Sequence, residues 1–220
     1  MIGGLSGGSN SQQGPDIPFA IDPETPPGRL IDIGTHRLHI HCMGTGSPTV
    51  IMEYGLGGHS LEWVLVQPEL ARRQRACAYD RAGYGWSDRG PSPRLSSIIA
   101  HELSRLLDRA RLEPPFILVG HSFGGFNIRQ LQQLRTRDVA GMVLIDSSHE
   151  AQFEQFKSQA GVNVTPSGKT FTLKYAPRER NLPPAVRSVV REAQLTRKTY
   201  ATVRDEMAVM LQSAEEMRTI

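Results

Sequence analysis

From Arg29 onward the chain alternates short apolar runs with longer segments whose apolar residues recur every three to four positions. Leu30-Ile31-Asp32-Ile33 and Leu38-His39-Ile40-His41 alternate in the strand manner, and Gly34-Thr35 between them predicts a β-hairpin. Thr49-Val50-Ile51-Met52, Ala76-Cys77-Ala78-Tyr79, Phe116-Ile117-Leu118-Val119 and Met142-Val143-Leu144-Ile145 are uninterrupted apolar runs of strand length. Between them lie helical patterns. One covers residues 61 to 71, with a break or fresh start at Pro68. A second, capped by Ser96 or Ser97, carries the stripe Ile99, Leu103, Leu106 and Leu107 and stops at Pro114-Pro115. A third covers residues 124 to 135. Continuous apolar strands separated by helices predict an α/β fold: a mainly parallel sheet covered on both faces, with the antiparallel hairpin at its N-terminal end. Beyond residue 151 the strand signal ends. Residues 183 to 218 read as one or two helices, with Val186, Val189, Val190 and Ala193 on one side. The expected division is a leader over 1–27, a core over 28–150 and a helical lid over 151–220.

Composition narrows the function classes. The chain has 220 residues, 39% of them hydrophobic and 21% charged, ample for one globular core. The net charge is only +3, and the densest basic cluster is Arg72, Arg73 and Arg75, which reads as a solvated helix end. Nucleic-acid binding, which needs a clustered basic face, is therefore not expected. The first 27 residues, rich in Gly, Ser, Asn, Gln and Pro, have no hydrophobic period and read as a disordered leader. They lack a basic stretch followed by an apolar one, and no apolar run is long enough to span a bilayer. The expectation is a cytoplasmic protein without a membrane span. Cys42 and Cys77 both fall in strand-like runs and read as a pair of inert buried thiols. His39 and His41 share one strand face. With no third ligand evident they read as an exposed face rather than a metal pair, so neither metal nor cofactor is expected.

Chemistry enters at Gly120-His121-Ser122-Phe123-Gly124, a G-x-S-x-G pattern. Gly4-Leu5-Ser6-Gly7-Gly8 fits the same pattern but has neither strand before it nor helix after it. Ser122 follows the apolar strand 116–119 and precedes a helix, the setting that a nucleophile elbow requires. At so sharp a turn the serine takes a strained backbone, and side chains two residues to either side would collide, hence Gly120 and Gly124. The turn places the Phe123 N–H at a helix N-terminus, where it can face an oxyanion. A second donor is expected from the turn Gly55-Leu56-Gly57-Gly58, with Leu56 N–H preferred.

Three stretches in this order resemble the α/β-hydrolase superfamily of esterases, lipases and peptidases, in its bacterial form. They are Glu53-Tyr54-Gly55-Leu56-Gly57-Gly58, Tyr79 to Asp88, and Val119 to Gly125. Leu144-Ile145-Asp146-Ser147-Ser148-His149 is similar to the end of that family's next strand. The resemblance implies an acyl-serine intermediate at Ser122 and a small ester or amide substrate. Serine at the elbow disfavours the branch that uses an aspartate nucleophile. It also implies a triad in the order serine, acid, histidine. No histidine follows His149. The expectation is a chain truncated before its catalytic histidine, lacking the last strands of the fold and impaired in activity. Asp146 offers an acid position, or equally a cap for the next turn. His59 and His149 are conceivable alternative bases but read as structural or solvent-exposed, while His121, adjacent to Ser122, should point away from it. The competing reading is a relative that binds ligand without catalysis. A dinucleotide-binding domain would need G-x-G-x-x-G after an early strand, and none is present.

Overall fold

A computed structural model describes residues 25–152 and 182–220. The expected leader lies outside the described residues up to position 24, as does the 153–181 portion of the expected lid. Six strands, β1 (Arg29–Asp32), β2 (Arg37–Met43), β3 (Thr49–Glu53), β4 (Ala76–Tyr79), β5 (Phe116–His121) and β6 (Val139–Ile145), form one sheet in the order β1-β2-β4-β3-β5-β6. The β3–β4, β3–β5 and β5–β6 pairs are parallel, and the hairpin joins antiparallel to β4. This is the mainly parallel α/β sheet with an N-terminal antiparallel hairpin that the pattern predicts.

Alternation along the strands divides the core. Ile51, Cys77 and Leu118 face α2 (Ser96–Arg109) and α3 (Gly124–Leu134), packing with Leu103, Leu106, Leu107, Ile128 and Leu131. Val50, Met52, Ala76, Ala78 and Val119 face the other way, against Trp63 of a 3₁₀ turn (Ser60–Trp63) and Leu70 of α1 (Gln67–Ala71). Pro68 sits in the first turn of α1, where its missing N–H costs nothing. The helical pattern over 61–71 is thus two short pieces, the second starting afresh around Pro68 as the sequence allows.

The region after residue 181 forms three helices, α4 (Pro184–Gln194), α5 (Arg197–Ala208) and α6 (Met210–Met217). Val186, Val189 and Val190 of α4 pack on Leu61 and Val64. Ala214 and Met217 of α6 pack on Ile99, Phe123 and Phe126. The start of α2 differs from expectation, since neither Ser96 nor Ser97 caps it through its own side chain. The caps come from α6 instead: Ser96 N–H donates to Ser213 Oγ (3.1 Å) and Ser97 N–H to Glu216 Oε2 (3.1 Å). A helix's first amides need acceptors from any source, and here α6 supplies them.

Two sequence readings are corrected. Cys42 and Cys77 are not thiols but a disulfide. They stand directly opposite each other on the antiparallel strands β2 and β4, with Cα atoms 4.0 Å apart, close enough to bridge. His39 does not lie on an exposed face. It is fully buried, its Nδ1 is 2.9 Å from Asp80 Oδ2, and its Nε2 contacts the Pro27 carbonyl. No group of three metal-ligating side chains occurs among the described residues. Arg72 and Arg73 are exposed at the end of α1, as a solvated helix end requires.

Candidate active site

Ser122 occupies the junction of β5 and α3 in left-handed backbone (φ 51°). That conformation is costly for a side chain with a Cβ and is held here by hydrogen bonds on both sides. Ser122 N–H donates to Ile145 O (3.2 Å), and Ser122 O accepts from Gly125 N–H and Ser148 N–H (3.0 Å each). The two motif glycines are sterically required. A Cβ at Gly120 would lie 2.6 Å from Ile128 Cδ1, and one at Gly124 would lie 2.7 Å from the Tyr54 carbonyl oxygen. Phe123 is the N-cap residue of α3, so its N–H stands at the positive end of that helix.

The Gly-rich turn after β3 passes directly over the serine. A Cβ on Gly55 would stand 2.9 Å from Ser122 Cβ and 3.1 Å from His121 Nδ1. Leu56 and Phe123 therefore belong to segments that meet at Ser122. Leu56 also packs into the same apolar cluster as Phe123, Met210 and Met217, which brings α6 to the rim of the site.

The histidines are disposed differently. The His121 ring stacks on Tyr54, with centroids 4.6 Å apart. The side chain of His149 is 65% exposed, its Nδ1 accepts from Ala151 N–H (3.1 Å), and its Nε2 lies 3.7 Å from Glu150. His59 is buried beside Asp80 and the 3₁₀ turn. Asp146 follows β6 in left-handed backbone (φ 41°) and is exposed. No hydrogen bond joins its carboxylate to a histidine among the described residues.

Beneath the turn lies a charged network that sequence reasoning missed. Glu53, fully buried at the end of β3, accepts from Arg81 Nη1 (2.7 Å), Asn127 Nδ2 (3.0 Å) and the Tyr79 hydroxyl. Arg81 also reaches Glu206 of α5, with Nε 3.1 Å from Oε1 and Nη2 3.2 Å from Oε2. Burial pushes the Glu53 carboxyl above the usual carboxylate range, against the opposing pull of Arg81 and the two hydrogen-bond donors Tyr79 and Asn127. Burial would lower Arg81, but Glu206 and then Glu53 outweigh it and hold the guanidinium charged. Glu53 and Arg81 stand in the stretches that carry the resemblance. Glu206 lies 125 residues from Arg81 in the chain and had no local signal.

Comparison with known proteins agrees with this geometry. The profile described as alpha/beta hydrolase fold matches residues 48–198. A protein of Hormonema carpetanum named as a transporter is 39% identical over 129 residues, covering 55% of this chain and 18% of that protein. A 2-hydroxy-6-oxo-2,4-heptadienoate hydrolase of Pseudomonas putida is 34% identical over 126 residues, covering 53% of this chain and 45% of that protein. The chain thus spans less than half the length of either relative. Cfl2 from Burkholderia cenocepacia shares the fold at 19% identity and a TM-score of 0.65, over 87% of this chain and 73% of that one. Relatives occur in fungi as well as bacteria, so nothing ties the chain to a bacterial branch. The cytoplasmic expectation is overturned: besides the transporter's name, a relative from Saccharomyces cerevisiae, 32% identical over 134 residues, is named a vacuolar membrane protein. No described helix is long and apolar enough to cross a membrane. With its sheet order, its elbow and this match, the chain belongs to the alpha/beta hydrolase fold family.

Proposed function

We propose that the chain is a serine hydrolase acting on a small carboxylic ester or amide through an acyl intermediate on Ser122. The observation that carries this reading is the left-handed Ser122 at the β5–α3 junction, directly beneath the Gly-rich turn. In this reading Ser122 Oγ attacks the carbonyl carbon, and the Leu56 and Phe123 N–H groups receive the charge that develops on the carbonyl oxygen. Each such donor contributes on the order of 10²–10³ in rate. No cofactor takes part.

The reading includes impaired turnover. A triad serine needs a base within hydrogen-bond reach. His149 engages Glu150 and Ala151, and His59 is enclosed beside Asp80. Asp146 is the candidate acid by its place after β6, without a histidine to orient. What persists is catalysis by the oxyanion site and by binding, about 10³–10⁴-fold over water. The contacts of His149 with its neighbours Glu150 and Ala151 equally favour a second reading, a protein that binds such ligands without turning them over.

Hydrolysis of p-nitrophenyl acetate separates the two. The first reading expects slow hydrolysis that Ser122→Ala lowers, with His149→Ala and His59→Ala unchanged. Equal rates for the native chain and Ser122→Ala would exclude the serine mechanism. Loss of activity in either histidine variant would identify a base and contradict the impairment.

A further inference from the structure

Glu206 lies on a lid helix, yet its carboxylate is completely buried beneath the turn that carries Leu56. The contacts on either side of Leu56 explain what it does there. On the N-terminal side, Arg81 Nη1 donates to Tyr54 O and Arg81 Nη2 to Gly55 O (2.9 Å). On the C-terminal side, Gly57 N–H points to the Tyr84 hydroxyl (3.4 Å). Both anchors end on Glu206: Arg81 through two nitrogens, and Tyr84 through a hydroxyl that donates to Oε2 at 2.7 Å. The Arg81 guanidinium also lies over the Phe123 ring, 5.9 Å from its centroid.

Helix α5 meets the core along one stripe, at positions four residues apart. Lys198 Nζ donates to Gly85 O (2.9 Å) and Ser87 O (2.6 Å). Thr202 covers Gly83, where no side chain would fit, and Glu206 completes the row. Stability alone does not account for this. Arg81 is shared by two buried carboxylates, and the cost of taking such groups out of water commonly cancels their attraction. What an ion pair with several fixed hydrogen bonds supplies is position.

We infer that Glu206 is a positioning residue that fixes the Leu56 turn in its oxyanion-receiving geometry, so that docking of helix α5 and assembly of the oxyanion site are one event. The catalytic part of this inference rests on the function proposed above; the mechanical part does not. Lifting α5 removes Glu206 from Arg81 and Tyr84 together and frees the backbone on both sides of Leu56. Substrate that requires the lid to open therefore meets a complete oxyanion site only after the lid has returned.

The test uses the full chain and two variants, Glu206→Gln and Tyr84→Phe. The second deletes only a hydroxyl, so it stands if the first does not fold. Amide hydrogen exchange reads the mechanical part: residues 54–58 should exchange about tenfold faster in either folded variant, with β5 unchanged. Phosphonylation of Ser122 by a fluorophosphonate reads the catalytic part. The maximal rate constant should fall about tenfold, with the half-saturating concentration unchanged, because only the charged state uses the oxyanion donors. Unchanged exchange over 54–58 overturns the inference, as does faster exchange with an unaltered maximal rate, which would leave Glu206 merely structural. If the native chain and Ser122→Ala label alike, it is the serine mechanism that fails, and the exchange result still decides the mechanical coupling.

Discussion

Single residues in this protein carry opposing burdens that the sequence names but does not rank. His39 and His41 are two positions apart on β2 and are pushed in opposite directions. Burial would lower His39, but the Asp80 carboxylate beside it outweighs that and raises it. For His41 burial, reinforced by the charge on His39, lowers the value to about 4. A depressed histidine favours the folded state fully above its unfolded value of 6.5, and that contribution is lost as pH falls toward 4. For His39 the sign reverses, its contribution being lost as pH rises through its raised value. His41→Gln should therefore lose less stability than the native chain between pH 6.5 and 4, as read from urea midpoints across that range. Parallel losses in the two proteins would show that His41 does not titrate with folding. Ser122 is the residue most legible in the sequence, because its strain and its clearance need glycines at fixed offsets. Glu206 is the least legible, because an isolated glutamate on a helix looks like any solvated charge until its partner is known.

At the scale of elements, periodicity found all six strands and both core-face helices. It misjudged what happens between elements. The start of α2 looked self-capped, whereas its first amides are received by Ser213 and Glu216 of α6. The cysteines looked inert because residues alone do not give register. Only the antiparallel pairing of β2 with β4 sets Cys42 against Cys77. This bridge closes a loop of 35 residues, and the freedom it removes from the unfolded chain corresponds to about 4 kcal/mol of stability. Cys42→Ala/Cys77→Ala should lower the urea midpoint accordingly, dithiothreitol should bring the native chain down to match, and the variant should not respond to it. A native midpoint indifferent to reductant would mean that the bridge is absent in solution.

For the whole molecule, the order of the sheet places Ser122 at the carboxyl end of β5, flanked by β3 and β6, with the Gly-rich turn above it and helices α5 and α6 at its rim. The fold was legible because each strand is a local run of apolar residues and the elbow is a local motif. The docking of the C-terminal helices was not, since it resides in contacts between residues more than a hundred positions apart, such as Arg81 with Glu206 and Ser97 with Glu216. The β6 edge of the described sheet is unusual: Met142, Val143, Leu144 and Ile145 are each 38–49% exposed, a degree uncommon for four consecutive apolar residues. The central claim concerns the adjoining carboxyl end of β5, where one hydroxyl among many is set apart by its left-handed backbone. Exposure of the full chain to a biotinylated fluorophosphonate, followed by mass-spectrometric mapping of the labelled peptides, tests this most directly. The account predicts that label accumulates on Ser122 in preference to every other serine and threonine, and is lost in Ser122→Ala. Label spread over other hydroxyls, or none on Ser122, would contradict it.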